Sequence, residues 1–258
     1  MGALPDGDEK ADLKRWPGAR RDMSLVQLLP NMMTVGALCA GLASIRFSAA
    51  GYFSAAVVMI LLAAVLDGLD GRLARFLKSE SPLGAELDSL ADFLNFGVAP
   101  GFLMYYWAFP AGNDFGWGAV LIYVVCTVLR LARFNIGNEV AAGLARLGKF
   151  QGVPSPAGAM MAMAPLYIAW QFPEWPMAPW PVLAVWLVLV GLMMISKLPT
   201  PSLKSVRVPT DRAALVVIAG IALVVLLLRY PWAVLSTICV AYAGVLIYAF
   251  AKSLWSRS

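Results

Sequence analysis

The stretch LDGLDGRLARFLKSESPLGAELDSLADFLNFGVAP, residues 66–100, decides how this chain is read. It starts and finishes in apolar sequence, yet it carries Asp67, Asp70, Asp88 and Asp92. Asp67 and Asp70 are spaced i, i+3 and Asp88 and Asp92 i, i+4, so on helices each pair shares one face. A hairpin around Ser79–Pro82 would make the two helices antiparallel neighbours and bring the faces together. A carboxylate in such an apolar zone costs about 2–4 kcal/mol, and acids there are functional by default. Four together repel one another unless cations neutralise them.

The rest of the chain says which solvent these acids sit in. Of its 258 residues 60% are hydrophobic and 14% charged, with a mean hydropathy of +0.74. A soluble domain carries roughly a quarter charged residues, so this composition calls for a bilayer. Windows of about 19 residues pick out apolar stretches near 25–47, 52–73, 83–109, 116–134, 156–171, 181–196, 213–228 and 232–251. The expected fold is therefore all-α, a polytopic membrane helix bundle of about eight transmembrane helices. An even number puts both termini on one side. Eighteen of the twenty Lys and Arg residues fall on that side, leaving only Arg46 and Arg229 on the other. By the positive-inside rule both termini and the acidic cluster are cytoplasmic. The net charge of +5 then marks topology and attraction to anionic lipid headgroups, not nucleic acid.

Residues 1–22 are polar with mixed charges and no apolar run, which reads as a flexible cytoplasmic tail rather than a signal peptide. Residues 23–196 form the expected core, and 197–258 an extra transmembrane pair. Histidine is absent, which excludes imidazole as base, phospho-carrier or metal ligand. Cys39, Cys126 and Cys239 stand singly in apolar runs and read as small buried hydrophobes. A metal here must be held by oxygen, which suits two hard divalent cations, Mg²⁺ or Mn²⁺.

The neighbours of the acids add a second chemistry. Gly71 follows Asp67 by four and Ala74 by seven, and Gly84 precedes Asp88 by four. Small residues on these faces let a ligand lie close to the backbone. Arg75, one turn beyond Gly71, offers a guanidinium that can clamp phosphate in a bidentate way. The bland alternative is interfacial ion pairing, Asp67 with Arg72 or Asp88 with Arg75, with the glycines merely packing helices.

The pattern Asp67, Asp70-Gly71, Ala74-Arg75, Gly84, Asp88, Asp92, with eight residues between Arg75 and Gly84, resembles the signature of the CDP-alcohol phosphotransferase family at every position. The resemblance implies a six-helix membrane core, to which two C-terminal spans are added here. It implies that Asp67 and Asp88 bridge two metal ions, that Asp70 completes the shell of one and Asp92 that of the other. Asp92 would also be the catalytic base. Asn31, Thr34, Gly71, Ala74, Arg75 and Ser81 would hold the CDP-lipid.

Further segments, 28–42, 85–100, 129–135 and 150–159, are similar to the bacterial integral-membrane members of the family whose partners are CDP-diacylglycerol and L-serine. An acceptor with a carboxylate needs a nearby cation, and Arg130, Arg133 and Lys149, with Asn135, lie on the expected cytoplasmic side. Choline, glycerol 3-phosphate or an inositol phosphate are the alternative acceptors, and positive-inside anchoring is the alternative role of the basic residues. A homodimer is compatible with the family. A divalent-cation transporter is the rival from another class, since acids in membrane spans also mark ion paths. Against it, the carboxylates cluster at one face and form no string across the bilayer.

Overall fold

The computed structural model describes residues 25–79, 81–143, 152–196 and 213–255. Among these residues every regular element is helical. The order is α1 (Leu25–Ala49), α2 (Phe53–Phe76), α3 (Pro82–Phe93), a π-helical turn (Leu94–Val98), α4 (Ala99–Ala108), α5 (Asp114–Gly143), α6 (Ser155–Ala162), α7 (Ala164–Gln171), α8 (Trp180–Ile195), α9 (Ala213–Arg229) and α10 (Pro231–Trp255). The expected tail, 1–22, and Lys149 lie outside the described residues.

Each apolar stretch read from the sequence is helical, but the helices differ in length. Four are long and apolar enough to cross a bilayer, within α1, α2, α5 and α10. The third stretch is divided into α3, the π-turn and α4, and the fifth into α6 and α7 at Met163. α8 and the apolar part of α9 are shorter than 18 residues. Among the described residues the protein is all-helical, with the long apolar helices of a membrane protein.

α2 shows why the sequence both enters a bilayer and aims its acids inward. Its buried residues Ala56, Ile60, Ala63 and Asp70 follow one stripe with steps of four, three and seven. On another face Val58, Leu62, Val65 and Leu69 are all at least 44% exposed, far more apolar surface than water would tolerate along one helix. The helix is apolar all round until its last two turns. There the packing stripe continues through Asp67 and Asp70 in place of aliphatic residues.

The core sits beside α4 and α5. Leu103, Met104, Tyr123, Tyr167, Leu187 and Met194 are almost wholly enclosed. Small residues let the helices close on it. A methyl group on Gly101 would meet Val120 at 3.2 Å, and one on Gly191 would meet the Tyr123 backbone at 3.1 Å. At the end of the bundle away from the aspartates, Phe102, Tyr105, Tyr106, Phe109 and Trp117 form a chain of ring contacts. α10 joins the core through Trp232, which lies 4.3 Å from Trp170 between ring centres. α9 packs against α10. Cys126 and Cys239 are buried as expected; Cys39 is not, because it faces away from the helices that α1 packs on.

The chain enters α6 through Gly152, whose φ of +87° suits only glycine. A Cβ there would also stand 2.5 Å from the Met194 carbonyl oxygen. Gly152→Ala is expected to cost at least about 1–3 kcal/mol from backbone strain alone. A lowered thermal midpoint in detergent, read by the loss of monodisperse protein after heating, checks this.

Candidate active site

The hairpin between α2 and α3 builds the site. α2 stops at Phe76, and Lys78 takes a left-handed φ of 50°, reversing the chain. Ser81 then starts α3 as its N-cap, accepting the Gly84 N–H at 3.0 Å, with Pro82 in the first helical turn. The reversal sets the Asp88/Asp92 face against the Asp67/Asp70 face, as the hairpin reading required.

A pocket of about 240 Å³ opens at this place, lined by residues of α1, α2, the hairpin and α3. Its walls include Asn31, Thr34, Gly71, Ala74 and Ser81, together with Asp70 and Asp88. Five residues separately expected around a CDP-lipid therefore share one cavity with two of the acids. Thr34 donates to Asp70 Oδ2 at 2.6 Å, tying α1 to the acidic stripe of α2. Arg75, next in sequence to the pocket-lining Ala74, is exposed, and its Nε donates to the Gly71 carbonyl at 3.0 Å. Neither Arg75 nor Arg72 is needed to explain how the acids are held.

Asp67 and Asp92 lie within hydrogen-bonding reach of each other. One oxygen each of Asp67, Asp70 and Asp92 is buried with no hydrogen-bond partner. An unsatisfied buried carboxylate oxygen is expensive, and such atoms mark a place where a cation is missing from the accounting. The donor set is wholly oxygen, as hard divalent ions prefer. Asp70 and Asp88 line the pocket, and among the described residues no three of the acids converge on one point.

The basic residues separate into different roles. Arg130 of α5 faces Asp92 and donates through Nε to the Val153 carbonyl at 2.6 Å and through a terminal nitrogen to Ser155 Oγ. Arg133 donates to the Ile195 carbonyl at 2.7 Å, closing the last turn of α8. Asn135 donates to Ser89 at 3.0 Å, joining α5 to α3 beside the acids. Arg130 and Asn135 thus border the acidic space, whereas Arg133 is used in fastening helices.

Several residues around the site had no signal in the sequence. Ser155 is fully enclosed and receives Arg130. Asn95, three residues past Asp92 in the π-turn, is fully buried with both amide atoms unpartnered. A methyl group on Gly41 of α1 would overlap its Oδ1 at 2.1 Å, so only glycine admits it. Ser79 lines the pocket with its hydroxyl unpartnered. A polar residue inside an apolar run was the one available clue for Asn95.

These elements, an acidic helical hairpin closing a small-residue pocket in an all-helical membrane protein, define a class. Residues 27–196 match the CDP-alcohol phosphatidyltransferase family, and the chain belongs to it. The chain is 39% identical over 240 residues to the CDP-diacylglycerol–serine O-phosphatidyltransferase of Mycobacterium leprae, covering 93% of this chain and 79% of that one. It is 38% identical over 241 residues to the protein of that name from Mycobacterium tuberculosis, covering 93% and 83%. For the Helicobacter pylori protein of that name the identity is 31% over 180 residues, covering 70% and 74%. The chain is thus an enzyme of phospholipid synthesis.

Nothing in the structure lies within 4 Å of where a Gly71 Cβ would stand. Gly71→Ala is expected to keep or raise stability by about 0.5–1 kcal/mol, because alanine favours the helix. The new methyl narrows the pocket, so binding of a CDP-lipid should weaken at least tenfold. Thermal midpoint and equilibrium binding to CDP-lipid in mixed micelles, measured on one preparation, should move in opposite directions.

Proposed function

We propose that this enzyme transfers the phosphatidyl group of CDP-diacylglycerol to L-serine, giving phosphatidylserine and CMP. The observation that carries the reading is similarity along 93% of the chain to proteins named for this reaction. The pocket supports it, since its small residues, with the exposed Arg75 one position beyond Ala74, suit a nucleotide pyrophosphate. The acids at one end of the bundle fit a substrate whose acyl chains stay in lipid while its nucleotide stays in water.

In this reading Asp67, Asp70, Asp88 and Asp92 hold two divalent cations, Mg²⁺ or Mn²⁺. When bound, these neutralise the pyrophosphate and draw charge from the phosphorus nearest the diacylglycerol. Asn31, Thr34, Gly71, Ala74, Arg75 and Ser81 hold the CDP group against α1 and α2. Asp92 takes the proton of the serine hydroxyl. The hydroxyl oxygen bonds to that phosphorus as the pyrophosphate P–O bond breaks, and CMP leaves with the electron pair. Arg130 and Asn135 face the acceptor, and Arg133 adds positive charge on the same side. The alternation of polar ends and apolar middles supports eight crossings, with α3 to α4 as one and α6 to α7 as another. The basic residues then lie in the cytoplasm with both termini and the site, in the bacterial inner membrane.

Purified protein with CDP-diacylglycerol, Mn²⁺ and a panel of labelled alcohols tests this. CMP release with L-serine is expected; turnover with choline, glycerol 3-phosphate or an inositol phosphate and none with serine would overturn it. Chelation should abolish turnover, and either Mg²⁺ or Mn²⁺ should restore it. Asp92→Asn should lower kcat by at least about 10²-fold, the lower range for a lost general base, while CDP-lipid binding is largely kept. Substantial residual turnover would remove Asp92 from the role of base.

A further inference from the structure

α10 lies beyond the family-matched residues 27–196, yet it packs against α6, whose first residue receives Arg130. Its buried face is set by Cys239, whose thiol donates to the Met160 carbonyl of α6 at 3.4 Å. One turn further along the same face, in the direction of the aspartates, is Tyr242. One turn from Met160 in that direction is the start of α6, where Ser155 receives Arg130. Tyr242 is accordingly brought alongside Arg130, close enough for the two to interact electrostatically. Its hydroxyl oxygen is buried with no hydrogen-bond partner.

A buried phenol hydroxyl normally finds a partner. Arg130, which interacts electrostatically with both Asp92 and Tyr242, spends Nε and one terminal nitrogen on Val153 and Ser155. Those two bonds fix the guanidinium plane, and a guanidinium carries five N–H donors, more than the two spent here. An O–H donor and a guanidinium edge side by side are the recognition elements of a carboxylate, which accepts from both.

We propose that Tyr242, on the last helix, is an acceptor-specificity residue: with Arg130 it binds the carboxylate of the amino-acid acceptor and places its hydroxyl towards Asp92. This rests on the serine reading above. It also gives the C-terminal helix a task, since a bundle without it would lack half of the carboxylate site. Choline and ethanolamine, having no carboxylate, gain nothing from the phenol.

Tyr242→Phe keeps the ring and removes only the unpartnered hydroxyl, so thermal stability should be unchanged or slightly raised. With the full-length enzyme, the KM for L-serine is expected to rise about tenfold, as for loss of one hydrogen bond to a charged group. The KM for CDP-diacylglycerol should stay within twofold, and the preference for serine over ethanolamine in kcat/KM should shrink by a similar factor. An unchanged serine KM in a variant that turns over serine would overturn the assignment to Tyr242 and leave the serine reading intact. Equal rises in both KM values would show a merely structural role. No serine turnover by the unsubstituted enzyme would remove both readings together.

Discussion

The structure depends on one constraint: α2 must remain a packing helix while its last two turns carry carboxylates where its core residues would be. Ala56, Ile60 and Ala63 bury themselves against the bundle, and the same stripe delivers Asp70 to an almost sealed position. The helix cannot rotate to expose the acids without exposing the aliphatic residues above them. Burial of the aspartates is thus enforced by hydrophobic packing several turns away, and the cost is met locally. Thr34 offers one hydrogen bond, and one oxygen each of Asp67, Asp70 and Asp92 stays buried without a partner.

That economy explains the surroundings. Bulky neighbours would fill the space and solvate nothing, so the faces beside the acids are Gly71, Ala74 and Gly84. Gly84 leaves no room for a side chain, because a Cβ there would stand 2.9 Å from Asn31 Oδ1. The basic groups are held at one remove. Arg75 turns back onto Gly71, and Arg130 is clamped to the 153–155 segment, so neither collapses onto the carboxylates and extinguishes their charge.

Much of this was legible in the chain. The periodic acids between apolar runs announced a helical hairpin with its turn around Ser79–Pro82. The pocket residues followed from a motif in which spacing and residue type are both constrained. What the sequence withheld was set by packing between distant elements. Arg133 and Arg130 look alike in LRLARFN, yet one fastens α8 and the other faces Asp92, and only the positions of Ile195 and Ser155 decide which. Tyr242 was invisible because it sits among ordinary apolar residues 112 positions from the arginine it approaches. Span lengths were blurred for the same reason, since hydropathy does not register the break at Met163 or the π-turn.

The π-turn at Leu94–Val98 has a consequence for how this helix can change. An extra residue in one turn offsets the faces before and after it by about 100°. Tyr123 donates to the Phe96 carbonyl inside the turn at 2.6 Å, and Thr127 presses on Gly97, so α5 holds the offset in place. α3 and α4 therefore behave as two differently phased rods spliced end to end. The upstream rod can drift in sequence to suit ligands and the downstream rod to suit lipid and core, with neither dragging the other around its axis. The splice separates the chemistry of this crossing from its anchorage.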